Sequence, residues 1–497
     1  MKVCLMYRGR DFDPGERLPW NGPDLMQDLQ LDRVFGAMAA GDRFLRDVAK
    51  SAALSGLNNS LDIILYRQAV LRDCLNNSPL VRRIYKLAAD AIETRRKSYW
   101  GSDVSTYPPS ILSGAVETLQ IFLGALTELR TIADEDAGSF ASEGFTQFFT
   151  RIKREISNDY LGEVQSRLNE LKFPEGVLVS ARLGRGNKGT NYTVRKPDGE
   201  KGWVRRVFGR RPESYTFRIG DRDETAARIL SELNCRGINL VANATAQSAE
   251  HITSFLASLQ NELAFYLGCV NLHGRLTDAG EPVCFPLPAP AGERRLSFEE
   301  LYDLSLALEM QKPVVPNDVH ADGKSLVLIT GANKGGKTTF IRSVGLAQVM
   351  MQCGMFVPAR SFSSGLCAGV FTHFRRKEDV SMESGKLDEE LSRMSQIADR
   401  LAANSLVLFN EAFAATNQRE GSEIAKQIVR ALLERRVKVL FVTHLYPFAH
   451  EFYGEGMAEV LSLRAERTAD GTRTYKLIEE EPLETSYGED LYTKIFK

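Results

Sequence analysis

The stretch Leu326-Val327-Leu328-Ile329-Thr330, continued by Gly331-Ala332-Asn333-Lys334-Gly335-Gly336-Lys337-Thr338-Thr339, constrains this chain more than any other. It reads as a buried strand, a loop of the form G-x-x-x-x-G-K-[ST] and the start of a helix. In such a loop successive backbone N–H groups converge on phosphate oxygens, and the following helix aims the positive end of its dipole at them. The pattern implies a nucleoside triphosphate, ATP, cradled by Gly331, Asn333, Lys334, Gly335, Gly336, Lys337, Thr338 and Thr339. Lys337 reaches the β- and γ-phosphates, and the Thr338 hydroxyl is placed to ligate Mg2+.

A triphosphate site needs a second half, because Mg2+ seeks another oxygen and an attacking water needs a base. From Ser325 onward the apolar runs 326–329, 406–409 and 439–442 alternate with helix-length stretches, which predicts a mostly parallel sheet covered by helices. Leu406-Val407-Leu408-Phe409-Asn410-Glu411 supplies the strand, with Glu411 in the general-base position just beyond its end. Asn410 stands where an Asp is usual; its amide oxygen accepts a hydrogen bond from a metal-bound water but brings no charge, so metal support is weakened. His444, after Val439-Leu440-Phe441-Val442-Thr443, is placed to sense the γ-phosphate. The other five histidines have no metal-ligand spacing.

With 497 residues the chain exceeds what one hydrophobic core organises, which predicts several domains. A formal net charge of -1 excludes a polyelectrolyte character for the whole chain and makes any nucleic-acid surface local. Seven cysteines without a C-x-x-C point away from disulfide frameworks and zinc, toward a reducing, cytoplasmic setting. No signal peptide is expected from Met1–Asp13 and no run approaching 18 apolar residues is read further on, so no membrane partner is expected. Helical periodicity fills residues 1–173, broken at Asn58-Asn59 and Tyr107-Pro108-Pro109. Residues 174–248 form a basic β-hairpin segment with strands at Val177-Leu178-Val179 and Tyr192-Thr193-Val194. Residues 249–310 form a helical connector with an apolar stripe from Ile252 to Val270, a proline loop, and helix again from about Phe298. Residues 311–497 are the P-loop domain.

In the hairpin segment Arg182, Arg185, Lys188, Arg195, Lys196, Lys201, Arg205, Arg206, Arg210 and Arg211 are opposed by Asp198 and Glu200, with Tyr192, Trp203 and Phe208 interleaved. This pattern suits double-stranded or branched DNA, bound through phosphates and sensitive to salt, and equally suits a solvated loop.

With these elements placed, the C-terminal third resembles the ATPase domain of the MutS family of DNA mismatch-repair proteins. The resemblance runs through Val315-Pro316-Asn317-Asp318, Thr330 to Thr339, Gly354-Met355-Phe356-Val357-Pro358-Ala359, Val370-Phe371-Thr372 with Asp379, and Ser405 to Glu411. It continues through Thr416, Glu420-Gly421, Ile424-Ala425, Thr443-His444 and Ser486-Tyr487-Gly488. Tyr66-Arg67-Gln68 and Val70-Leu71 are similar to the family's core and lever region. The resemblance implies a homodimer that sandwiches each nucleotide, with Ser384 of Ser384-Gly385-Lys386 reaching the partner's γ-phosphate. Here Leu387-Asp388-Glu389-Glu390 replaces the family's Ser-Thr-Phe-Met, and Ala414-Ala415-Thr416 replaces Arg-Gly-Thr. The chain enters its helical region at once, so the family's Phe-x-Glu mismatch wedge is not expected. Two functions compete: an ATPase whose nucleotide state opens or closes a helical clamp on DNA, and a slowly hydrolysing, nucleotide-gated protein scaffold. A small-molecule P-loop kinase would need a substrate lid, and the helical N-terminal half suits a lever better.

Overall fold

The computed structural model describes residues 1–98, 107–174, 176–196, 215–216, 218–220, 222–310, 313–376, 385–468 and 472–484. A helix-rich N-terminal region precedes a mixed α/β domain. Its helices are α1 (Gly22–Asp28), α2 (Leu31–Ala39), α3 (Arg43–Ser55), α4 (Leu61–Asn76), α5 (Ser78–Ser98), α6 (Pro108–Asp136), α7 (Glu143–Glu155) and α8 (Asn158–Glu170). The starts follow local chemistry: the Asp42 carboxylate accepts from Phe44 N and Leu45 N before α3, and Ser157 caps α8 through Tyr160 N. The Asn58-Asn59 break falls between a short 3-10 turn and α4, and α6 begins at Pro108.

Strands β1 (Leu178–Leu183) and β2 (Gly189–Arg195) form an antiparallel hairpin, and α9 (Glu224–Asp278) follows as one helix of 55 residues. That helix is continuous across position 248, where composition had suggested a boundary; no glycine or proline lies between Gly237 and Gly268 to interrupt it.

The chain divides into two compact units, residues 1–3, 82–140 and 146–260 in one, and 4–81, 141–145 and 261–497 in the other. In the first, α6 buries Leu112, Val116, Leu119, Phe122, Leu126 and Leu129, the spacing of a packed helical face. By length and composition alone Pro108–Ser139 is also apolar enough to cross a membrane, a test that a packed core helix passes as well, and half of its most apolar window is buried.

In the second unit, α9 carries the fully buried Glu262 into contact with the N-terminal segment. Its carboxylate accepts from the backbone N–H groups of Leu5, Met6 and Phe12. Next come β3 (Leu287–Ala289), β4 (Leu296–Leu301), α10 (Leu304–Met310) and β5 (Asn317–His320). The helix expected from Phe298 is therefore a strand, because Leu296, Phe298 and Leu301 turn inward while Glu299 is exposed. With β7 (Ser361–Gly365) these strands make a four-stranded sheet, order β3-β7-β4-β5.

The larger sheet contains β6 (Leu326–Thr330), β8 (Val370–Phe374), β9 (Leu406–Asn410), β10 (Lys438–Val442), β11 (Val460–Arg467) and β12 (Arg473–Glu479), in the order β12-β11-β6-β10-β9-β8. Every pairing except β11 with β12 is parallel. The intervening helices are α11 (Lys337–Gln352), α12 (Lys386–Ala398), α13 (Gln418–Glu434) and α14 (Tyr446–Gly454). Val407, Phe409, Val439 and Phe441 share one core with Met394, Val429 and Phe448 of α12, α13 and α14, whereas Leu408 faces Gly345 of α11. Alternate strand residues thus bury opposite faces.

Candidate functional site

Parallel strands end together at one edge of a sheet, and the loops leaving those ends build sites there. Here β10 lies between β6 and β9, with Val442 registered against both Ile329 and Asn410. That strand order brings the loop after β6, the Asn410-Glu411 step after β9 and His444 after β10 to the same edge.

The loop after β6 requires its glycines. Gly331 has φ +110, and a Cβ there would lie 2.9 Å from Ala465 N; a Cβ on Gly335 would lie 2.8 Å from Ala465 Cβ and 2.9 Å from Ala332 O. Lys334 holds φ +61, a left-handed conformation unusual for a residue with a side chain. Gly336 precedes α11, whose first-turn N–H groups have no intrahelical partner. The buried Lys337 donates from Nζ to Gly331 O at 3.0 Å and Ala332 O at 2.9 Å. Burial lowers its ammonium to about 8, against the opposing pull of Glu411 and with the repulsion of Arg473 added.

Thr338 Oγ1 donates to Asn410 Oδ1 at 3.1 Å, joining the two half-sites. Glu411 has φ +54, a strained conformation for glutamate, fixed by its N–H donating to Val442 O at 2.9 Å. Its Oε1 lies 3.4 Å from His444 Nε2 and its Oε2 lies 3.9 Å from an Arg375 guanidinium nitrogen. The imidazole of His444 draws the Glu411 carboxyl below its ordinary pKa; partial burial opposes this, and the charges of His444, Lys337 and Arg375 reinforce it. His444 Nε2 is buried and makes no aligned hydrogen bond among the described residues, so its contact with Glu411 is electrostatic.

Asn333, Lys334, Gly335, Gly336, Lys337, Thr338, Thr339 and Glu411 line one cavity of about 530 Å³, a size suited to a nucleotide. Its far wall is apolar: Leu301, Leu306, Met310, Val314, Val315 and Tyr475. Asn317 also lines it and accepts from Leu477 N at 2.7 Å. Asp303 at the same wall is fully buried and ion-paired with Arg342. Asn410 and His444 sit beside the cavity through their contacts with Thr338 and Glu411. Sequence reading missed Tyr475, Asp303, Arg375 and Arg473; the position of Arg375 directly after the β8 run was the available signal.

For Mg2+ the donor set is two neutral oxygens, on Thr338 and Asn410, with the Glu411 carboxylate one residue on. Hard oxygen ligands fit this cation, which retains waters and leans on the phosphates of its nucleotide. Among the described residues no cluster of three or more His, Cys, Asp or Glu side chains is arranged for a metal.

Ser384, Asp379, Ser486-Tyr487-Gly488 and the basic residues Lys201, Arg205, Arg206, Arg210 and Arg211 lie outside the described residues. Arg182, Arg185, Lys188 and Arg195 are exposed on the hairpin. Arg195 donates to Ser180 Oγ at 2.9 Å, and Lys196 is paired with Glu170 at 2.6 Å.

These elements define a helix-rich chain carrying a C-terminal α/β domain with a strand–glycine loop–helix site. Residues 59–279 match the family model described as the MutS2 N-terminal domain, and residues 327–494 match MutS domain V. The chain belongs to the MutS family. It is 33% identical over 183 residues to the DNA mismatch repair protein MutS of Thermus aquaticus, covering 36% of this chain and 22% of that protein. It is 40% identical over 141 residues to the DNA mismatch repair protein MSH3 of Arabidopsis thaliana, 28% of this chain and 13% of the relative. Over 143 residues it is 31% identical to the MutS protein homolog 4 of Mus musculus, 29% of this chain and 15% of the relative. The matched segments thus span less than a quarter of each relative.

Proposed function

We propose that this chain is a P-loop ATPase that binds ATP with Mg2+ in the cavity lined by residues from Asn333 to Tyr475 and couples nucleotide state to DNA. The observation that carries the reading is the convergence on one cavity of Lys337, the Thr338–Asn410 pair and the Glu411–His444 pair. The loop N–H groups and Lys337 hold the β- and γ-phosphates, Lys337 exchanging its two carbonyl acceptors for phosphate oxygens. Thr338 and Asn410 face the metal, which when bound supplies Lewis acidity at the phosphates. Glu411 takes the proton of the attacking water on its carboxylate, and His444 steadies that carboxylate and faces the γ-phosphate. Two copies then close over the nucleotide with Ser384 acting in trans, while the helical region forms a clamp on double-stranded or branched DNA and the hairpin arginines contact phosphates. A cytoplasmic setting is part of this reading, supported by seven cysteines without a C-x-x-C.

Turnover stimulated by duplex, single-stranded or branched DNA is the test of this coupling. Reversing the charges of Arg182, Arg185, Lys188 and Arg195 is expected to flatten the salt dependence of DNA binding by about three to four in the log–log slope, at ~0.9 per phosphate contact. An unchanged slope assigns DNA contact elsewhere. The neutral Asn410 favours a second reading, a slowly hydrolysing nucleotide-gated scaffold, and indifference of turnover to every DNA selects it.

The pKa of Lys337 adds a pH signature. Phosphates raise the pKa of an ammonium that stands at about 8 without them, so binding takes up a proton as the pH approaches and passes that value. ATP affinity is expected to fall as pH rises through this range, by up to about tenfold per pH unit, and Lys337→Arg is expected to abolish the dependence. Calorimetric titration in two buffers of different ionisation enthalpy reads the proton directly.

A further inference from the structure

The charges around the cavity do not balance. Lys334 and Lys337 line it on the cationic side and Glu411 on the anionic side, while Asp303 is neutralised by Arg342. Two more cations stand at its margins. Arg375 lies beside the Glu411 carboxylate, and its backbone N–H donates to Asn410 O at 3.0 Å, fixing it at the sheet edge. Its side chain is 43% exposed, open to a ligand. Arg473 repels Lys337, and its Nε is buried with no hydrogen-bond partner among the described residues. Two residues on, Tyr475 lines the cavity, its backbone lying against Gly336 of the loop. Among the described residues, Lys334, Lys337, Arg375 and Arg473 therefore oppose Glu411, a surplus of three positive charges. At the position where a charged metal ligand is usual, Asn410 adds no negative charge.

We propose that Arg375 and Arg473 supply to the triphosphate the charge that a divalent cation supplies elsewhere, so that this chain binds ATP without Mg2+ and needs the metal only for turnover. The physical argument is complementarity: a metal-free triphosphate carries about four negative charges, and preorganised guanidinium groups pair with phosphate at little reorganisation cost. Arg375 also offsets the field of Glu411, which would otherwise repel the γ-phosphate. With an Asp at 410 the same site would repel a metal-free triphosphate and bind it through the cation instead.

The inference rests on the nucleotide reading of this cavity, and the experiment separates the two. ATP is titrated into the wild-type chain calorimetrically, once with excess Mg2+ and once with excess EDTA. Affinity in EDTA is expected to lie within about tenfold of that in Mg2+, and a larger loss overturns the inference while leaving the site. Absence of binding in both conditions overturns the nucleotide reading and the inference with it. Arg375→Gln and Arg473→Gln are each expected to weaken binding in EDTA by about fivefold, the scale of a partly screened charge contact, and to change binding in Mg2+ less. Arg375→Lys is expected to retain most of the metal-free affinity. Asn410→Asp is expected to make binding Mg2+-dependent, and equal binding in both conditions by that variant overturns the charge account.

Discussion

Glu411→Gln is expected to lower ATP turnover by about 10² to 10⁴-fold, the range for loss of a positioned general base, while ATP binding survives. The substitution keeps the shape of the side chain and its approach to His444, but removes the group that accepts the proton of water. Three features single out this carboxylate. It lines the cavity, it is held below its ordinary pKa and so is ionised at neutral pH, and its backbone is locked in a left-handed conformation. Such strain costs roughly 1–3 kcal/mol and survives where the surrounding contacts enforce it. Removing the negative charge next to Lys337 is expected to tighten ATP slightly, so turnover and affinity move in opposite directions. Single-turnover hydrolysis beside equilibrium binding measures both; turnover within about threefold of wild type would assign the base elsewhere.

Glu262→Ala is expected to cost about 4 kcal/mol of stability. The carboxylate is the shared acceptor of three buried backbone N–H groups, those of Leu5, Met6 and Phe12. Each donor left unpaired in the interior costs ~1–3 kcal/mol, and water does not reach Glu262, whose accessible surface is zero. Burial pushes this carboxyl up to about 8 although the three amides favour its charged form, so the site is already costly before it is cut. The segment it anchors also carries the Cys4 and Leu5 carbonyls, which accept from the Tyr66 and Tyr266 hydroxyls. Urea unfolding followed by amide hydrogen exchange reads the effect: the midpoint falls, and the amides of Leu5, Met6 and Phe12 lose protection first. Protection at those three amides equal to wild type would show that another acceptor replaces Glu262.

The parts of this molecule legible in sequence are those whose signal is local. The loop from Gly331 to Thr338 declares itself because its glycines are demanded by its own curl and by close approach to Ala465. The placement of Asn410, Glu411 and His444 at one sheet edge is legible because buried parallel strands are short apolar runs and these residues stand at or just beyond their ends. Arg375, Arg473 and Tyr475 are not, since their proximity to the site depends on β8 and β12 taking the two edges of a six-stranded sheet. No pattern within either segment states that order. The four-stranded sheet stayed hidden for a related reason: β3 has only three residues, and Leu296–Leu301 is too short to separate strand from helix by periodicity. In the hairpin, charge was visible but its use was not, because exposed arginines serve solubility and phosphate binding equally well.

The central claim is that the loop from Gly331 to Thr338 holds a nucleoside triphosphate. Titration of ATP with Mg2+ into the wild-type chain and into Lys337→Ala, each confirmed folded by circular dichroism, tests it most directly. The account predicts one nucleotide bound per wild-type chain and a loss of affinity of about 10²-fold or more in the variant, on the scale of a buried charge-assisted phosphate contact. No binding by the wild type, or equal binding by both, would contradict it.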